Sequence, residues 1–219
     1  MAQLVARPRF VASIRTPIRL FLTPLRLYER STNFSVIFRD VEDPDLIAKA
    51  RKGDVEAYNL LVTRWEKRVF NYLLRLVSNR EDAMDVSQDV FLKAYQNLPK
   101  LDDPQRFAGW LFRIAHNEAF SLLRKRKPEG DLAPDDLFGV VPQNANLLPI
   151  ELSLAVESAL KRLTPDQREA VLLKVYQGFK FDEMAEILDC PVSTVKSRLY
   201  TGLELLKVTL GPQMIRKEI

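Results

Sequence analysis

From Asp45 onward, apolar residues return every three or four positions, the period of an amphipathic helix. Leu46, Ile47 and Ala50 lead into Gly53-Asp54, which reads as a turn. A long stripe follows: Ala57, Leu60, Leu61, Trp65, Val69, Phe70, Leu73, Leu74 and Val77. Ser78-Asn79 breaks it. Asn79 is placed to cap the next helix, with Asp82 where a capping box has Glu. That helix is expected over 80–97. Its inner stripe is Ala83, Val86, Val90, Phe91, Ala94 and Leu98, and its other side carries Asp85, Gln88, Asp89 and Lys93. Pro99 ends it, and Leu101–Gln105 is a short acidic loop containing Pro104. A further helix is expected over 106–126, with Phe107, Trp110, Leu111, Ile114, Ala115, Phe120, Leu122 and Leu123 inward. It closes on Arg124-Lys125-Arg126-Lys127, before Pro128.

The helical period stops at Pro128. Residues 128–149 hold four prolines and two glycines, no basic residue and no sustained period, and so read as a flexible linker. Helices resume over about 150–163. Thr164-Pro165-Asp166 marks another start, with Thr164 as cap and Gln167 three residues later. That helix runs to about Tyr176 and stops at Gln177-Gly178. A short helix over 181–188, a turn at Asp189-Cys190-Pro191 and a longer helix from Val192 to about Val208 complete the chain's pattern. The expected fold is therefore all-α: two small helical domains joined by a linker. The boundaries fall at 1–44 (N-terminal extension), 45–128, 129–149 (linker) and 150–219.

Composition supports this outline. Glycine is scarce, with 7 residues in 219, and 47% of the chain is apolar, enough to bury cores. Cys190 and His116 each stand alone. This excludes an intrachain disulfide framework and argues against a zinc site or any other metal or cofactor centre. The net charge is only +4, but it is unevenly spread. Residues 44–128 carry sixteen Lys and Arg against eleven Asp and Glu, 129–149 carry four acids and no base, and 150–219 are balanced. A basic block suits a polyanionic partner, although a solvated surface has the same signature. Residues 1–30 hold six arginines and one acid, a composition like that of a transit peptide, but Pro8, Pro17 and Pro24 interrupt it. A disordered tail or an upstream start codon fits as well. No run is long enough to span a bilayer, so no membrane insertion is expected and a reducing, cytoplasmic setting fits.

The strongest local motif is 181–206, a helix-turn-helix. Ala185 is small where the helices would cross, and Ile187, Leu188, Val195 and Leu199 can share a core. Ser193, Thr194, Lys196, Ser197, Tyr200 and Thr201 are then left outside, suited to base edges and phosphates in a major groove. An ordinary helical hairpin would look similar. In 106–127, aromatic residues at helical spacing are more simply core than stacking platforms. Asn117 is a poor helix former one turn from Arg113, and its amide can read a base edge. Asp85 and Asp89 at i and i+4 could be an acid/base or metal pair, but no histidine, nucleophile or glycine-rich loop accompanies them. A solvated or docking face is the simpler reading. His116 lacks an orienting carboxylate in the sequence and reads as a surface or satisfied position. Nothing here requires an enzyme.

In order and spacing, AKARKGDVEAYNLLVTRW, EDAMDVSQDVFLKAY, FAGWLFRIAHNEAFSLLRKR and LTPDQREAVLLKVYQGFKFDEMAEILDCPVSTVKSRLY resemble the extracytoplasmic-function subfamily of sigma-70 factors. The resemblance covers about 45–127 and 150–208. It implies a non-enzymatic subunit that binds core RNA polymerase, recognises −10 and −35 promoter elements and promotes melting. By the resemblance, Asp85, Gln88, Asp89 and Phe91 dock on the clamp helices of the largest polymerase subunit. The Leu101–Gln105 loop and Asn117 hold a base flipped from the −10 element, and Lys93, Arg113 and Arg124 hold nearby backbone. The helix from Val192 reads the −35 element, the helices before it sit on the polymerase flap, the acidic linker threads toward the RNA exit path, and an anti-sigma factor is a further partner. Three departures stand out: the basic N-terminal extension, Leu101 where an aromatic is common, and Thr201-Gly202 in place of Arg-Ala or Arg-Gly. A free-standing helix-turn-helix regulator is the alternative, and the acidic docking face with FAGWLFRIAHN argues against it.

Overall fold

The computed structural model describes residues 41–126 and 150–215, and every regular element among them is helical. In chain order these are α1 (Asp43–Arg51), α2 (Val55–Val77), α3 (Arg80–Asn97), α4 (Phe107–Lys125), α5 (Ile150–Lys161), α6 (Pro165–Val171), α7 (Phe181–Leu188) and α8 (Val192–Ile215). Two single 3₁₀ turns, Leu98–Lys100 and Pro104–Arg106, join α3 to α4. The N-terminal extension and the acidic linker expected from the sequence lie outside the described residues.

Contacts divide the chain into residues up to Val62 and residues from Thr63, a cut that falls inside α2. In the first unit α1 buries Leu46, Ile47 and Ala50, and the start of α2 buries Ala57, Tyr58, Leu61 and Val62. Gly53, at φ +93°, makes the turn between them. The Asp54 carboxylate then accepts from the Ala57 amide at 3.1 Å and caps α2.

In the second unit the rest of α2 buries Trp65, Val69, Tyr72, Leu73, Leu74, Leu76 and Val77. Trp65 meets Phe107 edge to face at 5.9 Å, and Tyr72 meets Phe112 at 5.1 Å. Helix α3 packs on α4, α4 packs on α7, and α8 packs on α5, α6 and α7. The helices on the two sides of segment 127–149 therefore share one body. This arrangement is absent from the periodicity, which records only that each helix has an apolar face.

Local signals match the helix ends closely. Asn79 Oδ1 accepts from the Asp82 amide at 3.0 Å, as its position suggested. The Asp82 carboxylate does not complete the box; it pairs with Arg126. Aspartate is one methylene shorter than the Glu that a capping box uses. Thr164 and Gln167 form the full reciprocal box. Two ends differ from expectation. Helix α8 runs on to Ile215, past Val208. The helix ending at Tyr176 finishes as a π-helical turn, Leu172–Tyr176, in which the Gln177 amide reaches back to Leu172 O at 3.1 Å.

Candidate nucleic-acid interface

The outer face of α3 carries the first group of candidate residues. The helix turns Ala83, Val86, Val90, Phe91 and Ala94 inward, which leaves Asp85 and Asp89 exposed and Gln88 half-buried. A shallow groove beside them is lined by Asp82, Asp85, Val86, Asp89, Glu118, Ser121, Leu122 and Lys125, so its rim is acidic with one lysine. Phe91 does not belong to this surface. It is only 1% exposed, and its ring packs inward and holds α3 in place.

The second group lies on and around α4. Asn117 and Arg124 are exposed. Lys93 and Arg113 are exposed but paired: Lys93 Nζ is 2.6 Å from Glu118, and Arg113 Nη2 is 3.6 Å from Asp189. Leu101 is 5% exposed, and its amide closes the 3₁₀ turn onto Leu98 O at 3.2 Å. Its side chain is part of the core, so any wall it forms for a ligand is not available in this conformation. An aliphatic residue at this position is drawn inward by burial of its whole side chain. The neighbouring Asp102, Asp103 and Gln105 remain exposed, and the Asp103 carboxylate accepts from the Gln105 amide at 2.9 Å.

The third group is the helix-turn-helix. Asp189, at φ +49°, ends α7 in the left-handed region, and the Thr194 and Val195 amides return to Pro191 O at 2.9 and 3.1 Å to start α8. Met184, Ile187, Leu188, Val195 and Leu199 are buried as the shared core. Interleaved with them, Ser193, Lys196, Ser197, Tyr200 and Thr201 are exposed and Thr194 is half-buried. Gly202 is buried because α8 approaches α6 there. A Cβ on it would lie 3.2 Å from Val171 Cγ2 and 3.4 Å from Gln167 O. Lys196 Nζ sits 5.4 Å from the Phe181 ring centre and Lys174 Nζ sits 4.7 Å from it, so two cations share one aromatic ring. Arg198 turns back to Asp166 at 2.9 Å and adds nothing to the outer cationic face. Burial pushes the Cys190 thiol up from its ordinary value, with Arg198 opposing.

A further cluster has no counterpart in the sequence reading. Glu169 is fully buried. Its Oε1 accepts from the Tyr72 hydroxyl and lies 2.8 Å from His116 Nδ1. Burial, then the Glu169 charge, hold the Tyr72 phenol well above its ordinary pKa. His116 therefore does have a carboxylate partner, 53 positions away in the chain. Arg168, the preceding residue, is also buried. Its guanidinium donates to the carbonyls of Leu160, Lys161 and Leu163 and to Leu76 O and Ser78 Oγ, at 2.9 to 3.2 Å. It thus satisfies carbonyls at the C-terminal ends of both α5 and α2. Burial lowers its pKa, with Glu157 opposing. Arg75 pairs with Glu157 at 2.8 Å and lies over the Tyr176 ring, and Arg106 pairs with Glu186. The only sequence signal for this cluster was two adjacent charges, Arg168-Glu169, opening straight into the apolar run Ala170-Val171-Leu172-Leu173.

Comparison with known proteins gives the following. Residues 61–129 match Sigma-70 region 2, and residues 153–206 match Sigma-70, region 4. The chain is 34% identical over 185 residues to the ECF RNA polymerase sigma-E factor of Haemophilus influenzae, covering 78% of this chain and 97% of that protein. It is 33% identical over 187 residues to the ECF RNA polymerase sigma-E factor of Escherichia coli strain K12, covering 80% and 97%. Among solved structures it is similar to CnrH in complex with the cytosolic domain of CnrY, with TM-score 0.59, 28% identity and 78% and 97% of the two chains covered. It is also similar to the sigma factor RpoE in complex with the anti-sigma factor NepR from Bartonella quintana, with TM-score 0.60, 26% identity and 70% and 96% covered.

Proposed function

Because the chain belongs to the sigma-70 family, in its extracytoplasmic-function branch, and so acts in transcription initiation with RNA polymerase and promoter DNA, we propose how its surfaces divide that work. The face of α3 bearing Asp85, Gln88 and Asp89 docks on the clamp helices of the largest polymerase subunit, with Phe91 setting the helix from inside. The acidic rim favours a basic partner surface and speeds encounter. Asn117 and the exposed part of the 101–105 loop hold a base flipped from the non-template strand of the −10 element. Capture of that base offsets an unstacking cost of a few kcal/mol. Arg124, together with Lys93 and Arg113 once their acidic partners release them, neutralises the adjoining phosphates.

The outer face of α8 reads the −35 element. The observation that carries this is the interleaving on α8: Ser193, Lys196, Ser197, Tyr200 and Thr201 are exposed, while Val195, Leu199 and Gly202 between them are buried. The inner residues fix the helix, and hydroxyls, an amine and a phenol are left free to meet a groove. The domain limits 45–128 and 150–219, the linker over 129–149 threading toward the RNA exit path, flap contacts by the helices before α8, a cytoplasmic setting and the lack of any catalytic step belong to the same proposal. An anti-sigma factor is proposed as well, supported by the two solved relatives, each a complex with a partner chain. Among the described residues no helix is long and apolar enough to cross a membrane.

In vitro transcription with purified core polymerase and a promoter library tests the reading. Wild type is expected to direct specific starts. Asp85→Arg is expected to lose core binding and transcription while keeping its helical circular dichroism. Wild-type core affinity in Asp85→Arg refutes the docking assignment, and no specific start with wild type refutes the reading as a whole.

A further inference from the structure

Resting on the reading that α8 meets the −35 element, we propose that Phe181 is a positioning residue for DNA: its ring holds Lys174 and Lys196 together as a two-cation clamp on one stretch of phosphate backbone. Lys196 lies one turn into α8, on its exposed face. Lys174 is no part of that helix. It stands in the middle of the π-helical turn Leu172–Tyr176. Bonding over five positions puts one more residue into the turn, so each side chain within it is aimed differently than in an α-helix. Lys174 Nζ donates to Phe179 O at 3.1 Å, which bends the side chain back toward the start of α7. Phe181, the first residue of α7, is met there by Lys174 at 4.7 Å and by Lys196 at 5.4 Å.

The two ammonium groups lie within about 10 Å of each other, the two ring distances end to end, and so repel. Among the described residues neither has a carboxylate partner. Lys93, Arg113 and Arg198, by contrast, are paired with Glu118, Asp189 and Asp166. The face of an aromatic ring attracts a cation without neutralising it. Phe181 therefore gathers two charges and leaves both for an anion. A duplex carries about one negative charge per 1.7 Å of its axis, so one strand edge offers phosphates to both lysines at this spacing. Side chains already ordered by the ring lose less freedom on binding than two free lysines would.

The full-length chain assembled with core polymerase tests this on a labelled duplex that carries the −35 element and stops short of the −10 element. Affinity is read by fluorescence anisotropy across a salt series. Lys174→Gln is expected to reduce the slope of log affinity against log salt by about 1, and Lys174→Arg to keep it. Phe181→Leu keeps an apolar side chain but no ring. It is expected to lower affinity about fivefold at low salt, the effect of leaving both lysines unordered, while Phe181→Tyr keeps wild-type affinity. In a Lys174→Gln, Lys196→Ala background, Phe181→Leu is expected to change nothing further, an outcome that mere support of the fold would not give. Circular dichroism identifies any variant that unfolds, and the folded one of Lys174→Gln and Phe181→Leu then decides. An unchanged slope in Lys174→Gln overturns the clamp. An equal loss from Phe181→Leu with and without the lysines overturns the positioning role. Transcription by the same holoenzyme is scored separately. Specific starts with an unaltered slope refute only this inference, and no specific start refutes the promoter reading.

Discussion

Arg168→Ala probes the centre of the molecule most sharply. The guanidinium makes five hydrogen bonds of 3.2 Å or less, four to carbonyls of Leu76, Leu160, Lys161 and Leu163 and one to Ser78 Oγ. Ser78, at φ +58°, ends α2 in the left-handed region, and its hydroxyl can turn to another partner. The four carbonyls are fixed by their helices, and Leu160 O also holds the Leu163 amide at 3.2 Å, so three are left without a donor. Each carbonyl left buried and unsatisfied costs about 1–3 kcal/mol. Water entering the space of the lost side chain can serve roughly half of them, while the relief of no longer burying a cation recovers part of the remainder. The balance is a loss of about 3 kcal/mol, at the lower edge of the range for breaking a buried charged network. With a urea dependence of about 2 kcal/mol per molar, the unfolding midpoint should fall by about 1.5 M. Arg168→Lys keeps the charge but has no planar fork to span two helix ends, so an intermediate loss is expected. Urea denaturation followed by far-UV circular dichroism is the assay. A midpoint shift below about 0.3 M for Arg168→Ala, the size of an ordinary surface substitution, would refute the idea that this residue ties the ends of α2 and α5.

Two further outcomes follow from the same geometry. Lys196→Ala should weaken binding to −35 duplex at low salt and reduce the slope of log affinity against log salt by about 1, since one phosphate contact is lost; an unchanged slope in a salt titration by fluorescence anisotropy counts against that contact. The Tyr72 phenol holds its proton more tightly folded than unfolded, because burial and Glu169 raise its pKa above the ordinary 10. The stability this contributes is full below pH 10 and is lost as pH climbs toward the folded value, because the unfolded chain releases the proton first. Urea midpoints on either side of pH 10 should therefore fall more gently with pH in Tyr72→Phe than in wild type, leaving the contribution of Tyr176, also raised by burial. Equal pH dependence in the two proteins refutes this.

The sequence by itself determined the local architecture. The 3.6-residue period placed α3 and α7 at their observed limits, and Asn79, Thr164-Pro165 and Gly178 marked helix ends because capping and left-handed turns depend on residues only a few positions apart. It also separated the inner and outer faces of α8, since a surface helix repeats its burial pattern along the chain. The period also put Phe91 on the inner stripe of α3, where it is buried; the resemblance placed Phe91 and Leu101 less well. Both were assigned to surfaces by resemblance, and both are buried, because exposure depends on which neighbouring helices cover a position.

What the tertiary structure decided is which helices meet across the 127–149 segment, and with it the partners of His116, Glu169, Arg168 and Arg113. A lone histidine and an Arg-Glu pair carry no record of groups 53 to 97 positions away. Hydrogen bonds and ion pairs are short-ranged, and they exist only after packing has brought distant turns within about 3 Å of each other. Period and capping are properties of neighbours in the chain, and pairing is a property of neighbours in space.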